Sequence, residues 1–353
     1  MRWNEQFCAD KRLLAAVALA LAAYAALSSS VTSQSRLRLT GVNIAGAEFG
    51  TALPGRPGTD YFYPSPQTID HFAAKGMNTV RLPFRWERIQ PALGAPLEEA
   101  EFERLDSAVH RGLAQGMTVL LDVHNYAAYR KQPIGSTAVP VDALADLWGR
   151  LAARYKDKPG VVFGLMNEPK GLPTETWLAA ANAAIAEIRR RGARNLVLVP
   201  GNGWTGAHSW LGGGYGTANA AVMTKISDPA HHFAYEVHQY LDADFSGTHP
   251  QCQSETIGAE KLKAFTDWLR QRRRKGFLGE FGAGAGPTCL AALEAMLAFI
   301  DRNADVWLGW TYWAAGPWPR DYFTSLQPID GEDRPQMAIL EKHLAPRTRE
   351  RLP

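Results

Sequence analysis

From residue 39 onward, short apolar runs alternate with longer stretches in which apolar residues recur every three or four positions. The runs cover 39–44, 79–82, 118–123, 161–166, 195–199, 232–238, 276–280 and 306–313. They are rich in Val, Leu and Phe and do not alternate apolar with polar, as expected of parallel strands covered on both faces. Between them Leu144, Leu147, Trp148 and Leu151 fall at helical steps, as do Trp177, Ala181, Ala184, Ile185 and Ile188. Leu262, Phe265 and Leu269, and then Leu290, Leu293 and Leu297, repeat the pattern. The connection between the fifth and sixth runs holds Gly212-Gly213-Gly214 and much Ala, so it is predicted to be mostly loop. Eight strands with intervening helices predict an α/β chain folded as a single (β/α)8 TIM barrel over 36–345, with a short charged tail over 346–353. No Pro/Thr/Ser-rich linker to a second domain and no internal repeat stands out.

Residues 1–35 read differently. Arg2, Lys11 and Arg12 make a basic start, diluted by Glu5 and Asp10; 13–27 is apolar or small, and a polar run to Ser35 follows. The apolar stretch is shorter than the ~20 residues that span a bilayer. It fits an export signal, with Ala23-Tyr24-Ala25 as a cleavage pattern of the small-x-small kind. An uncleaved membrane anchor and a buried helix are the alternatives, and only the anchor implies a stable membrane partner. Secretion or export to the periplasm is the expectation. Cys8 lies inside that segment, which leaves Cys252 and Cys289 as an even pair in an exported chain. A disulfide between them is expected, the alternative being two unpaired buried thiols. With 46% hydrophobic and 21% charged residues the chain can build a large core, and disorder is not expected. A formal net charge of +3 is too small to argue for a nucleic-acid or anionic-surface partner.

Polar residues gather at the carboxyl ends of the runs. Arg81 closes the second; His124 and Asn125 the third; Asn167 and Glu168 the fourth. Asn202 and Trp204 follow the fifth, His238 and Tyr240 close the sixth, Glu280 the seventh and Trp313 the eighth. In a (β/α)8 barrel these ends open on one face, where active sites lie. Two carboxylates facing each other there, Glu168 and Glu280, suit glycosidic chemistry, in which one attacks and the other moves a proton. The bland readings are a Glu168 favoured by a helix dipole and a Glu280 that is a strand-end acid paired with Arg81. Tyr240 can orient a carboxylate, His238 and His124 can tune proton affinity, and Arg81 can pin a carboxylate or nearby backbone from below. Of 11 Trp, Trp86, Trp204, Trp210, Trp313 and Trp318 are expected on the active face, where flat rings stack on sugars; Trp148, Trp177 and Trp268 are expected in the core. Several lookalikes fail. The third glycine of a dinucleotide loop beginning at Gly282 would fall on Pro287, and His231-His232 lacks the spacing of a zinc protease helix. His249 and Cys252 are better read as a turn than as a metal site. No phosphate loop or nucleophile elbow is found.

The segments Gly41-Val42-Asn43-Ile44-Ala45-Gly46, Arg81-Leu82-Pro83 and Asp122-Val123-His124-Asn125-Tyr126 carry a family pattern. It continues in Gly164-Leu165-Met166-Asn167-Glu168-Pro169, His238-Gln239-Tyr240-Leu241-Asp242, Gly247-Thr248-His249 with Cys252, and Gly279-Glu280. Taken in this order with Trp313, the sequence resembles glycoside hydrolase family 5 of clan A, in its endoglucanase branch. The resemblance implies a retaining endo-β-1,4-glucanase that cuts internal bonds of a polysaccharide by double displacement, without metal or cofactor. Glu168 would be the acid/base and Glu280 the nucleophile; Asn167 would meet the 2-hydroxyl, Tyr240 would support Glu280, and His238 would sit near Glu168. Trp313 would floor the −1 subsite, with Asn125, Trp86 and Trp204 also binding substrate. Cys252 matches a family half-cystine, which favours its bond to Cys289. Phe281 and Ala283 stand where the family pattern has smaller residues and are expected to reshape the −1 rim; Trp310-Thr311-Tyr312, before Trp313, is bulkier than that pattern. Hydrolysis of mannan, xyloglucan or mixed-linkage glucan, transglycosylation, and non-catalytic glycan binding are the alternatives. A monomer is the default for such a barrel.

Overall fold

The structure, a computed structural model, describes residues 36–346 apart from residue 215. The expected export segment with Cys8, and the tail over 347–353, lie outside the described residues.

Eight parallel strands close into a barrel: β1 (Leu39–Ile44), β2 (Thr79–Phe84), β3 (Thr118–Val123), β4 (Val161–Gly164), β5 (Val197–Pro200), β6 (Phe233–His238), β7 (Gly276–Glu280) and β8 (Trp307–Ala315). Each pairs with its neighbours in sequence, and β8 pairs with β1. Helices α1 (Pro66–Ala74), α2 (Glu99–Ala114), α3 (Ala143–Tyr155), α4 (Thr174–Arg190), α5 (Ile257–Arg272) and α6 (Pro287–Arg302) pack outside. Between β5 and β6 only the four-residue helix Asn219–Val222 and a 3-10 turn, Met223–Lys225, appear. The weak helical pattern there marked a real loop.

Local sequence explains the element boundaries. Helix α1 starts where the Ser65 hydroxyl accepts the Thr68 amide at 3.1 Å, with Pro66 in the first turn. Helix α3 buries Leu144, Leu147, Trp148 and Leu151 on one stripe. Strand β4 is shorter than the apolar run, ending at Gly164, but the Leu165 amide still donates to the Leu198 carbonyl at 3.1 Å and the Asn167 amide to the Val123 carbonyl at 2.7 Å. In β8, Gly309 sits at φ +154° beside a register shift, and a Cβ there would lie 1.6 Å from the Leu39 carbonyl oxygen. Only glycine fits that approach.

Two apolar layers hold the fold. Leu120, Val162, Leu198, Ala234 and Phe277 form a cluster separate from the main one and drawn from the barrel strands. The main cluster joins the strands' other faces to the helices. Cys252 and Cys289 are disulfide-bonded with Cα atoms 5.2 Å apart, tying the loop after β6 to the first turn of α6. No helix among the described residues is long and apolar enough to cross a membrane.

Candidate active site

The strand ends converge on Arg81, which is completely buried. Its Nη1 donates to Asn43 Oδ1 and to Glu280 Oε1, both at 2.9 Å, and its Nη2 donates to Asn167 Oδ1 at 2.9 Å. Asp122 on β3 and Glu236 on β6 each lie 3.2 Å from the same guanidinium. Five strand ends are thus joined through one planar fork, a geometry that a lysine cannot reproduce.

Glu280 closes β7. Its Oε2 accepts the Tyr240 hydroxyl at 2.9 Å and lies 3.5 Å from His238 Nδ1. Burial alone would raise this carboxyl; the charges of His238 and Arg81, together with the Tyr240 hydrogen bond, outweigh it and hold Glu280 below the ordinary glutamate range. The ladder shifts register between Val237 and His238, which brings His238 opposite Glu280. Such irregularities re-aim side chains beside active sites.

Glu168 stands across the mouth. Its backbone lies in the left-handed region at φ +42°, a conformation that costs a non-glycine residue roughly 1–3 kcal/mol. The turn, fixed between Asn167 and Pro169, swings the side chain back over the barrel. Its Oε1 is 2.8 Å from His238 Nδ1. One carboxylate oxygen of Glu168 and one of Glu280 lie within 4.8 Å of each other, each as close to a His238 ring nitrogen. Two carboxyls that face each other so closely match the pair of a retaining glycosidase. Asn167 is held on both sides, by Arg81 and by His124, whose Nε2 lies 3.1 Å from its Nδ2. Asp122 in turn holds His124 Nδ1 at 2.8 Å.

A cavity of about 410 Å³ opens on the Glu168 side, lined by Tyr126, Lys170, Trp204, His208 and Phe245 among others. Trp204 is 41% exposed, with the Lys170 ammonium 5.0 Å from its ring centre. On the other flank Trp313 is nearly buried, packed beside the His124 ring at 5.6 Å and donating from Nε1 to the Tyr322 hydroxyl at 3.1 Å.

Some expectations need correction. Trp86 is fully buried in a short helix, its Nε1 bonded to Gln90, so no sugar can stack on it. Trp210 is also buried, edge-on to Tyr235, Phe265 and Trp268. Asn125 braces the loops rather than facing the groove: it accepts the Trp86 amide and donates to Glu87 and to the Ala128 carbonyl. Phe281 packs against Trp310 and Tyr312 in the main core between strands and helices. His249 sits in a turn capped by Asp242, which accepts the amides of Gly247, Thr248 and His249. Glu48 and Glu236 escaped the sequence reading, and Asn43 and Asp122 stand there only inside family segments, with no role of their own. Asp122 and Glu236 were detectable as charges inside otherwise apolar runs. Glu48 is buried after β1; one oxygen accepts the Gly46 amide at 2.7 Å and the other has no hydrogen-bond partner among the described residues. Burial pushes its carboxyl up to about 7, against the pull of the nearby His124 charge.

The family model for cellulase (glycosyl hydrolase family 5) matches residues 39–316. The chain belongs to glycosyl hydrolase family 5. Among family members it is 40% identical over 306 residues to endo-beta-1,4-glucanase B of Aspergillus niger, covering 86% of this chain and 89% of that protein. An endo-beta-1,4-glucanase of Xanthomonas axonopodis pv. citri superposes with a TM-score of 0.86 at 48% identity, covering 87% of this chain and 98% of that one. XacCel5A, solved in complex with cellopentaose, does so at 0.86 and 50% identity, covering 87% and 99%.

Proposed function

We infer that this chain is a retaining endo-β-1,4-glucanase in which Glu280 is the nucleophile and Glu168 the acid/base. One observation carries the reading: an oxygen of Glu168 and an oxygen of Glu280 lie within 4.8 Å of each other at the barrel mouth. Glu280 is ionised by Arg81, Tyr240 and His238, while Glu168 stands at the edge of the open cavity.

A β-1,4-glucan chain lies across the mouth, its leaving-group side in the cavity beside Trp204. A Glu280 oxygen attacks the anomeric carbon. The bond to the leaving oxygen breaks as Glu168 delivers its proton to that oxygen. A glycosyl ester on Glu280 forms with inverted configuration. Glu168, now a carboxylate, takes a proton from water; the water oxygen attacks the same carbon and releases Glu280, restoring the β configuration. Asn167, locked by Arg81 and His124, presents its amide to the 2-hydroxyl. The relatives named endo-beta-1,4-glucanases support the linkage, and the cellopentaose complex supports the substrate class. The disulfide supports export to an oxidising compartment, with residues 1–35 as signal peptide and polar linker.

The test is reducing-sugar release from carboxymethyl-cellulose, run beside mannan and xylan, with Glu168→Gln as control. Release from the cellulose derivative that disappears in the variant is expected. Preference for mannan or xylan would reassign the substrate, and equal release by the variant would remove Glu168 from the mechanism.

A further inference from the structure

Both cations that touch Glu280 also face a third carboxylate that the reaction does not use. Glu236 lies on β6, two residues before His238 and therefore on the same face of the strand. It is buried, with Oε1 3.2 Å from Arg81 Nε and 3.7 Å from His238 Nε2; its Oε2 has no hydrogen-bond partner among the described residues. Gly279 makes room for it, since a Cβ there would lie 2.1 Å from Glu236 Oε1. A buried carboxylate so incompletely hydrogen-bonded is unfavourable to the fold. What it supplies is negative charge beneath two cations.

We propose that Glu236 is a positioning residue for this reaction: it holds His238 doubly protonated and, through His238 and Arg81, keeps Glu168 oriented and Glu280 ionised. The proposal rests on the roles given above to Glu168 and Glu280. His238 is faced by Glu168 from the β4–α4 loop at 2.8 Å, by Glu280 from β7 at 3.5 Å, and by Glu236 from its own strand at 3.7 Å. Glu236 is faced in turn by Arg81 from β2, which also carries Asp122 of β3. Burial drives the imidazole toward neutrality; the three carboxylates outweigh it and carry His238 up to about 10. With Glu236 neutral, one of the groups that stabilise the His238 charge is gone. His238 then releases its proton at lower pH, and the positive charge that faces Glu168 and Glu280 through Nδ1 is lost with it.

The experiment follows the His238 imidazole nitrogens by 15N NMR across pH in the wild type and Glu236→Gln, without substrate. Alongside it, kcat/KM for cellopentaose is measured across the same range. The His238 midpoint is expected to fall by about one unit or more, the size of effect an opposite charge at this range has. Any loss of kcat should grow as pH approaches the lowered His238 midpoint, while KM changes little. An unmoved midpoint, with kcat lowered by one factor at every pH, would overturn the proposal and leave Glu236 a packing residue. Should Glu236→Gln not fold, Glu236→Asp, which draws the charge back by one methylene, is expected to shift the midpoint part-way; no shift there overturns the proposal equally. Because the titration needs no turnover, a wild type inactive on cellopentaose would count against the assigned function and not against the charge coupling.

Discussion

Arg81 Nη1 donates to Glu280 Oε1 at 2.9 Å, although 199 residues separate the two. The neighbouring nitrogen of the same guanidinium donates to Asn167. The carboxylate proposed to attack and the amide proposed to meet the 2-hydroxyl are therefore set by one planar group, and neither can move without the other. Arg81→Lys keeps the charge but loses the fork. It should cost on the order of 3 kcal/mol of stability, as breaking a buried paired charge does, and should lower kcat steeply. Denaturant unfolding and steady-state kinetics check this; an unchanged midpoint with unchanged kcat would show that the fork is dispensable.

The electrostatics of Glu280 set the acid side of the pH profile. Because the carboxyl is held below its ordinary range, the acid limb of kcat/KM should lie below the ~4.3 of an unperturbed glutamate. The sign for stability is the same. A depressed folded value adds stability above the unfolded value, and that stability is lost as pH falls through the folded one. Tyr240→Phe removes one stabilising hydrogen bond and should move the limb upward. A limb at or above ~4.3 in the wild type would contradict the assignment.

Glu48 should act in the opposite direction. Its folded value, up to about 7, exceeds the unfolded ~4.3, so the unfolded chain releases the proton first. Folding stability should therefore decline as pH rises from ~4.3 to about 7, by up to roughly 3 kcal/mol. Glu48→Gln keeps an acceptor for the Gly46 amide and should abolish that decline. Thermal melts of both proteins at pH 5 and 7.5 decide it; parallel pH dependence would rule Glu48 out as the cause.

The Cys252–Cys289 bond closes a 37-residue separation and fixes the loop that carries Asp242 to α6. Replacing both cysteines by serine should cost about 2–4 kcal/mol, without changing the spacing of Glu168 and Glu280. Unfolding under reducing and oxidising conditions reads this. Wild-type stability insensitive to reductant would argue against a structural role.

Much of this architecture is legible in the chain because parallel strands need continuous apolar runs, and a barrel delivers whatever ends each run to one face. Glu168, His238 and Glu280 could be placed in that way. What the pattern does not carry is the direction a side chain takes at a strand end. Trp86 and Asn125 follow strands as Trp204 does, yet the short helix after β2 turns Trp86 into the core and engages Asn125 in bracing it. Phe281 follows Glu280 directly, and the alternation along the strand sends it outward. Glu236 and Asp122 were visible as charges inside apolar runs, but their meaning depends on Arg81, which arrives from another strand.

The most direct measurement is intact-mass and peptide analysis after incubation with an activated 2-deoxy-2-fluoro-cellobioside, whose fluorine slows the second displacement. A single glycosyl adduct on Glu280 is expected, absent in Glu280→Gln. An adduct on Glu168, or rapid turnover of glucan by Glu280→Gln, would contradict the assigned double displacement.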